Sequence, residues 1–184
     1  MHRHRGLTLV EALFAIALIG TLTAVAVPAF HGIVEQTKAD TITQRLRTEI
    51  AFARNEAVFS RHQVVMCRTR DFRTCADIGV WSTGIMTFED RNYDRDLNRN
   101  EQLLRVKTAA DFGGFHLVGS LNRPVIGFRP DGRSAGSNTT LRLCSKSLKA
   151  LRLVVINTGG RVRTTRATKS TPPCGSDEEP RTQR

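Results

Sequence analysis

The chain has 184 residues and a formal net charge of +11, from 28 Lys and Arg against 17 Asp and Glu. This balance points to an anionic partner, whether nucleic acid, lipid head groups or an acidic protein surface, and composition alone does not rank the three. One Trp and one Tyr leave little material for an aromatic stacking surface, and Cys67, Cys75, Cys144 and Cys174 have neither CxxC spacing nor a neighbouring His pair, which argues against zinc.

Residues 1–6, MHRHRG, form a basic leader, and from Leu7 to Phe30 the chain is apolar apart from Glu11 and scattered small polar residues. Three readings compete. A cleaved secretory signal has its A-x-A-like site at Ala24-Val25-Ala26. A plain anchor is long enough, because residues 7–30 rise about 36 Å as a helix. Neither uses Glu11, whose charge costs about 2.5–3.5 kcal/mol in hydrocarbon. The third reading uses Glu11 and Pro28 as well and rests on a resemblance described below.

Past Pro28 the pattern becomes amphipathic. Ile42, Leu46, Ile50, Ala53 and Ala57 recur at helical spacing among charged residues. The spacing predicts one helix from about Leu7 to Phe59, bent near Pro28, whose second half, 31–60, lays its stripe on the globular part. From 61 to 170 the period is two. Strands are predicted over 64–68, 85–89, 103–107, 115–118, 125–128, 141–144, 151–156 and 162–165, separated by Gly, Pro, Asn and Asp. A helix followed by sheet implies an α+β fold, the helix laid on antiparallel strands. Residues 171–184 form a polar tail. An even cysteine number behind an export segment reads as two disulfides. Of the three pairings, proximity favours Cys67–Cys75 and Cys144–Cys174.

Asp90, Asn92, Asp94, Asp96, Asn98 and Glu101 fall at calcium-loop positions, but Arg95 replaces the turn glycine and Arg91 and Arg99 add positive charge. This stretch reads as a polar hairpin connection. His31, His62 and His116 are isolated, and G-x-S-x-G, H-E-x-x-H and P-loop motifs are absent from the sequence. The expectation is a protein that is not an enzyme and uses neither metal nor cofactor.

The remaining signal is basic. From Gly132 to Ser176 there is no Asp or Glu, while Arg133, Arg142, Lys146, Lys149, Arg152, Arg161, Arg163, Arg166 and Lys169 lie within it. If Val162 points inward in a strand, Arg161 and Arg163 share the outer face. Arg166 and Lys169 extend the cluster onto a Thr-rich segment expected to be flexible. The cluster would lie inside the loop closed by Cys144–Cys174.

In frame, Gly6, Glu11 and Pro28 resemble the start of type IV pilins and type II secretion pseudopilins. The resemblance implies prepilin peptidase cleavage after Gly6 and N-methylation of Leu7, where the family more often has Phe. Glu11 becomes the fifth mature residue and would neutralise a neighbouring subunit's terminal amine, since two charges buried together are tolerable where one is not. Pro28 falls at the helix-kinking position. "WSTGIMTFEDRNYDRDLNRNEQLLR" and "VIGFRPDGRSAGSNTTLRLC" are similar to GspH/FimT-like minor pilins, and Gly160-Arg161-Val162-Arg163 is similar to the DNA-contacting motif of the FimT-type members. The resemblance implies a pilin fold and a minor pilin that binds DNA non-specifically for uptake in natural transformation. Its contacts would be Arg161 and Arg163, supported by Arg166 and Lys169, with Lys146, Lys149 and Arg152 adding field. Other pilin subunits, prepilin peptidase and the inner membrane would be its further partners, with the globular part in the periplasm before export to the pilus. The rivals are a priming pilin or pseudopilin that binds no DNA, and a module that meets anionic lipid.

Overall fold

The computed structural model describes residues 9–119, 124–136 and 138–177, with the side chains of 25, 27–29 and 31 outside the description. Gly6, Leu7 and the Pro28 side chain therefore lie beyond it, as does the tail from 178. The chain divides into two units, 1–38 and 39–184.

One helix, α1 (Leu9–Ser60), matches the predicted stem. In the first unit its large apolar side chains, among them Leu13, Phe14, Ile16, Leu18 and Ile19, are exposed on the isolated chain. Glu11 lies in its first turn and is also exposed. The Thr21 hydroxyl donates to the Leu18 carbonyl and that of Thr23 to the Ile19 carbonyl, both at 2.9 Å. These donors are thus satisfied within the helix, as an apolar surrounding requires. Among the described residues no helix is long and apolar enough to cross a membrane.

Among its described residues the second unit holds the rest of α1 and eight strands, at all the predicted places: β1 (Gln63–Arg68), β2 (Gly84–Asp90), β3 (Leu103–Thr108), β4 (His116–Gly119), β5 (Val125–Phe128), β6 (Thr139–Cys144), β7 (Ala150–Ile156) and β8 (Val162–Arg166). They form two antiparallel four-stranded sheets, ordered β3-β2-β1-β5 and β4-β6-β7-β8. The division into two sheets was not read from the sequence. Alternation identifies a strand but not its neighbour.

A single apolar core joins helix and sheets. Ala39, Ile42, Leu46, Ile50, Ala53 and Ala57 of α1 pack with Val64 and Met66 of β1, Ile126 and Phe128 of β5, Leu141 and Leu143 of β6, and Val154 and Ile156 of β7. Complete burial of Ile50 alone removes a side chain worth roughly 1.5–3 kcal/mol from water. Each sheet also has a covered outer face. Cys67–Cys75 closes a loop over Val65, Met86 and Phe88, and the buried Arg68 guanidinium stitches that loop by donating to the carbonyls of Ala76 (2.8 Å) and Gly79 (2.9 Å). Cys144–Cys174 seals Val118 beneath the C-terminal segment.

Polar contacts fix α1 on both flanks of its stripe. Glu49 receives Arg105 (3.3 Å) and Lys107 (3.2 Å) from β3, and the Arg105 guanidinium lies 3.6 Å over the Phe52 ring. Toward the other sheet, Arg152 of β7 donates from Nε to Asp40 Oδ1 at 2.6 Å and from Nη2 to Oδ2 at 2.9 Å. The planar fork of an arginine matches a carboxylate in this way.

Two predictions follow from these contacts. Asp40→Ala should destabilise the protein by about 2 kcal/mol, below the ~3–5 kcal/mol of a fully buried pair because the Asp40 side chain is 56% exposed. The hydrogen bond from Arg152 holds the Asp40 carboxyl below its usual range. The pair's contribution is therefore complete above about pH 4 and fades as pH falls through the lowered value. Thermal melts of wild type and Asp40→Ala should converge in acid; a gap that is constant with pH would refute the assignment. Replacing Cys144 and Cys174 together by Ser opens a link across 30 residues and should cost roughly 2–4 kcal/mol, read by urea unfolding together with faster proteolysis of the C-terminal segment.

Candidate nucleic-acid interface

The turn between β7 and β8 sets the position of the predicted contact residues. The Gly160 N–H donates to the Asn157 carbonyl (2.9 Å), the Asn157 N–H to the Arg161 carbonyl (3.0 Å), and the Arg161 N–H to Asn157 Oδ1 (2.8 Å). Gly160 has φ +74°, and a Cβ there would meet the Gly132 carbonyl oxygen and the Arg54 side chain. Glycine is required at this position both for its conformation and for the close approach of a second turn. Arg54 Nε donates to that same Gly132 carbonyl at 2.8 Å.

Beyond the turn β8 alternates as predicted. Val162 is half-buried against the core, opposite Ile156, while Arg161 and Arg163 are exposed. Because β8 is the edge of its sheet, its outer side chains meet solvent without a strand beyond them. Arg166 also lies in β8, opposite Arg152, and close enough to Asp40 for its charge to lower that carboxyl further. Lys169 is exposed in a turn closed by the Thr171 N–H on the Thr168 carbonyl (3.0 Å) and by hydroxyl contacts of Thr168 with Ser170 and Thr171. The Thr-rich segment that carries Arg166 and Lys169 is therefore the end of a paired strand and a hydrogen-bonded turn, not the flexible segment expected.

Three further residues stand apart from the turn. Lys146 and Lys149 are exposed between β6 and β7, at the opposite end of β7 from Asn157. Six residue steps of strand put about 20 Å between the two ends. Arg152 corrects the expectation of a surface cation. It is 3% exposed and its guanidinium is held by Asp40. Its inward register, shared with Val154 and Ile156, turns it toward the helix.

The sequence reading missed the helix wall. Gln44, Arg47, Thr48, Ala51, Arg54 and Asn55 of α1 line a groove of about 800 Å³ together with Asn157, Gly160, Arg161, Val162 and Arg163. The α1 positions recur at three- and four-residue steps and form one face over about 16 Å. That spacing was visible in the chain, but which strand the face would meet was not. Lining this groove are four arginines and no carboxylate.

In the acidic stretch from Asp90 to Glu101, three carboxylates accept from neighbouring donors. Glu101 receives the N–H groups of Arg91 (2.7 Å) and Asn98 (2.9 Å), Asp94 that of Asp96 (2.9 Å), and Asp90 the Gln63 amide (2.7 Å). Burial pushes the Asp90 carboxyl up, and the Asp96 N–H holds that of Asp94 down. This is the polar connection expected.

Comparison with known proteins places the chain. Residues 1–27 match the prokaryotic N-terminal methylation motif, and residues 43–160 match the family model of the type II transport protein GspH. Two crystal structures of the type IV minor pilin FimU of Pseudomonas aeruginosa PAO1 share the fold. One has a TM-score of 0.58 at 16% identity, over 77% of this chain and 98% of FimU; the other has 0.55 at 17%, over 73% and 98%. The solution structure of E. coli GspH aligns with a TM-score of 0.50 at 14% identity, over 74% of this chain and 94% of that one. No curated protein matches the sequence. With a family match over more than half its length behind a methylation motif, the chain belongs to the GspH family and is a minor pilin or pseudopilin of a type IV pilus or type II secretion system, a structural subunit rather than an enzyme, processed by prepilin peptidase and assembled with other pilin subunits.

Proposed function

We propose that this minor pilin binds DNA non-specifically for uptake in natural transformation. The observation that carries the reading is the exposed pair Arg161 and Arg163 on an edge strand, set in a Gly-Arg-Val-Arg turn that only glycine permits. Guanidinia there reach phosphates as charge-assisted donors. Arg166 and Lys169 support them, and Lys146 and Lys149 add a weaker field from the far end of β7. Phosphate contacts carry no sequence information, so affinity is modest, about 10⁻⁴–10⁻⁶ M per site, and salt-sensitive. Repetition along a fibre raises it by avidity.

The same reading assigns the location. Gly6 is the cleavage site, Leu7 the methylated terminus, and Glu11 and Pro28 serve the stem in the filament. The subunit is held in the inner membrane by residues 7–30 with its body in the periplasm, where two disulfides are stable, before it enters the pilus. The second reading, a priming pilin or pseudopilin without DNA binding, is favoured by the type II transport family match itself.

The four phosphate contacts Arg161, Arg163, Arg166 and Lys169 contribute about −3.6 to the log–log salt slope for duplex DNA, at roughly −0.9 each. Arg161→Ala with Arg163→Ala in the full-length detergent-solubilised protein should halve that contribution and weaken binding; unchanged affinity rejects the site. Gly160→Ala keeps every cation yet should also weaken binding, because the turn must move off Gly132 and Arg54. In cells, deletion should abolish transformation and spare fibres. Loss of fibres would favour the priming role.

A further inference from the structure

The ion pairs of the globular unit have a pattern. Arg105 and Lys107 meet Glu49, Arg91 meets Glu89, Arg133 meets Asp131 and Arg152 meets Asp40. In the groove between α1 and β8 the arrangement is different. Arg47, Arg54, Arg161 and Arg163 line one concavity without a carboxylate among the lining residues. Like charges gathered in this way repel one another and are relieved by an external anion. The other polar lining groups, Gln44, Thr48, Asn55 and Asn157, include hydrogen-bond donors suited to phosphate and sugar oxygens. The volume, about 800 Å³, is that of a pocket for a drug-sized ligand. That is room for a short run of sugar–phosphate backbone.

The four arginines are not equivalent. Arg54 is half-buried and spends Nε on the Gly132 carbonyl, so it positions the turn beneath Gly160. Arg47 is exposed, and its only described contact is from Nη1 to Gln44 Oε1 at 3.3 Å on the same helix face. An incoming phosphate outcompetes so long a neutral acceptor.

We propose that Arg47 is a phosphate-binding residue of this pilin, and that α1 supplies the second wall of a groove, shared with Arg161 and Arg163, in which one strand of DNA lays its backbone. The proposal rests on the DNA-binding reading and adds to it a contact from the helix. Arg45, two residues before Arg47 and so on another face of the helix, is exposed and not among the groove-lining residues, which makes it the matched control.

The experiment is a fluorescence-anisotropy titration of labelled DNA with the full-length protein in neutral detergent, over a salt series, for wild type, Arg47→Ala and Arg45→Ala. Circular dichroism verifies the fold of each. Arg47→Ala should weaken binding roughly five- to tenfold and reduce the salt slope by about 1, whereas Arg45→Ala should remain within about twofold of wild type. Equal losses for the two variants would mean that only the diffuse field matters and would overturn the groove. An unaffected Arg47→Ala beside a weakened Arg161→Ala, Arg163→Ala variant would overturn the helix wall and leave the DNA reading standing. Absence of DNA binding by the wild-type protein would overturn both.

Discussion

The apolar stripe of α1 from Ala39 to Ala57 is the surface on which both sheets close. Its fully buried members include Ile50, Ala53 and Ala57, and Leu46 and Ile42 are buried one and two turns before Ile50 on the same stripe. A helix on a sheet is free to slide unless its margins are tied. Here Glu49 is tied to β3, Asp40 to β7, and Arg54 to the turn at Gly132. These three ties lie on the flanks of one hydrophobic stripe, and together they set the helix's position along and about its own axis.

The basic groove is a consequence of that placement. A helix laid across two sheets presents its polar flank to the edge of one of them, and β8 is that edge. The glycine turn before β8 brings the chain back against Gly132 and Arg54 and leaves the next outward positions, Arg161 and Arg163, beside the exposed flank of α1. The body neutralises several of its cations in pairs and leaves these arginines without a carboxylate in the groove. Such an uncompensated cluster is tolerable because it faces water and salt.

The stem raises the opposite electrostatic problem, with one carboxylate on an apolar surface. In the globular unit, charge is held by pairing across the fold, as with Asp40 and Arg152. In the stem, the Thr21 and Thr23 hydroxyls are satisfied within their own helix, and the apolar side chains around them are exposed on the isolated chain. A surface of this kind is stable only when covered by hydrocarbon or by other subunits, which is the physical reason a pilin stem belongs to a membrane or to a filament.

Much of this was legible along the chain. The stem follows from a run of apolar residues, the amphipathic half from a 3.6 period, and the eight strands from a period of two between turn residues; the cysteine pairs found are the ones proximity favoured. Each of these is a local property, expressed within a few residues and enforced by backbone geometry. The two-sheet division, the withdrawal of Arg152 from the surface, the separation of Lys146 and Lys149 from Arg161 and Arg163, and the entry of Arg47 into the groove were decided only by tertiary structure. Arg152 and Asp40 are 112 residues apart in sequence, and no periodicity reports which strand a helix face will meet. The sequence alone determined which residues are cations and which way each strand alternates. The three-dimensional packing decided which cations find carboxylates and which line the groove without one, because that depends on distances between segments that only the closed core brings together.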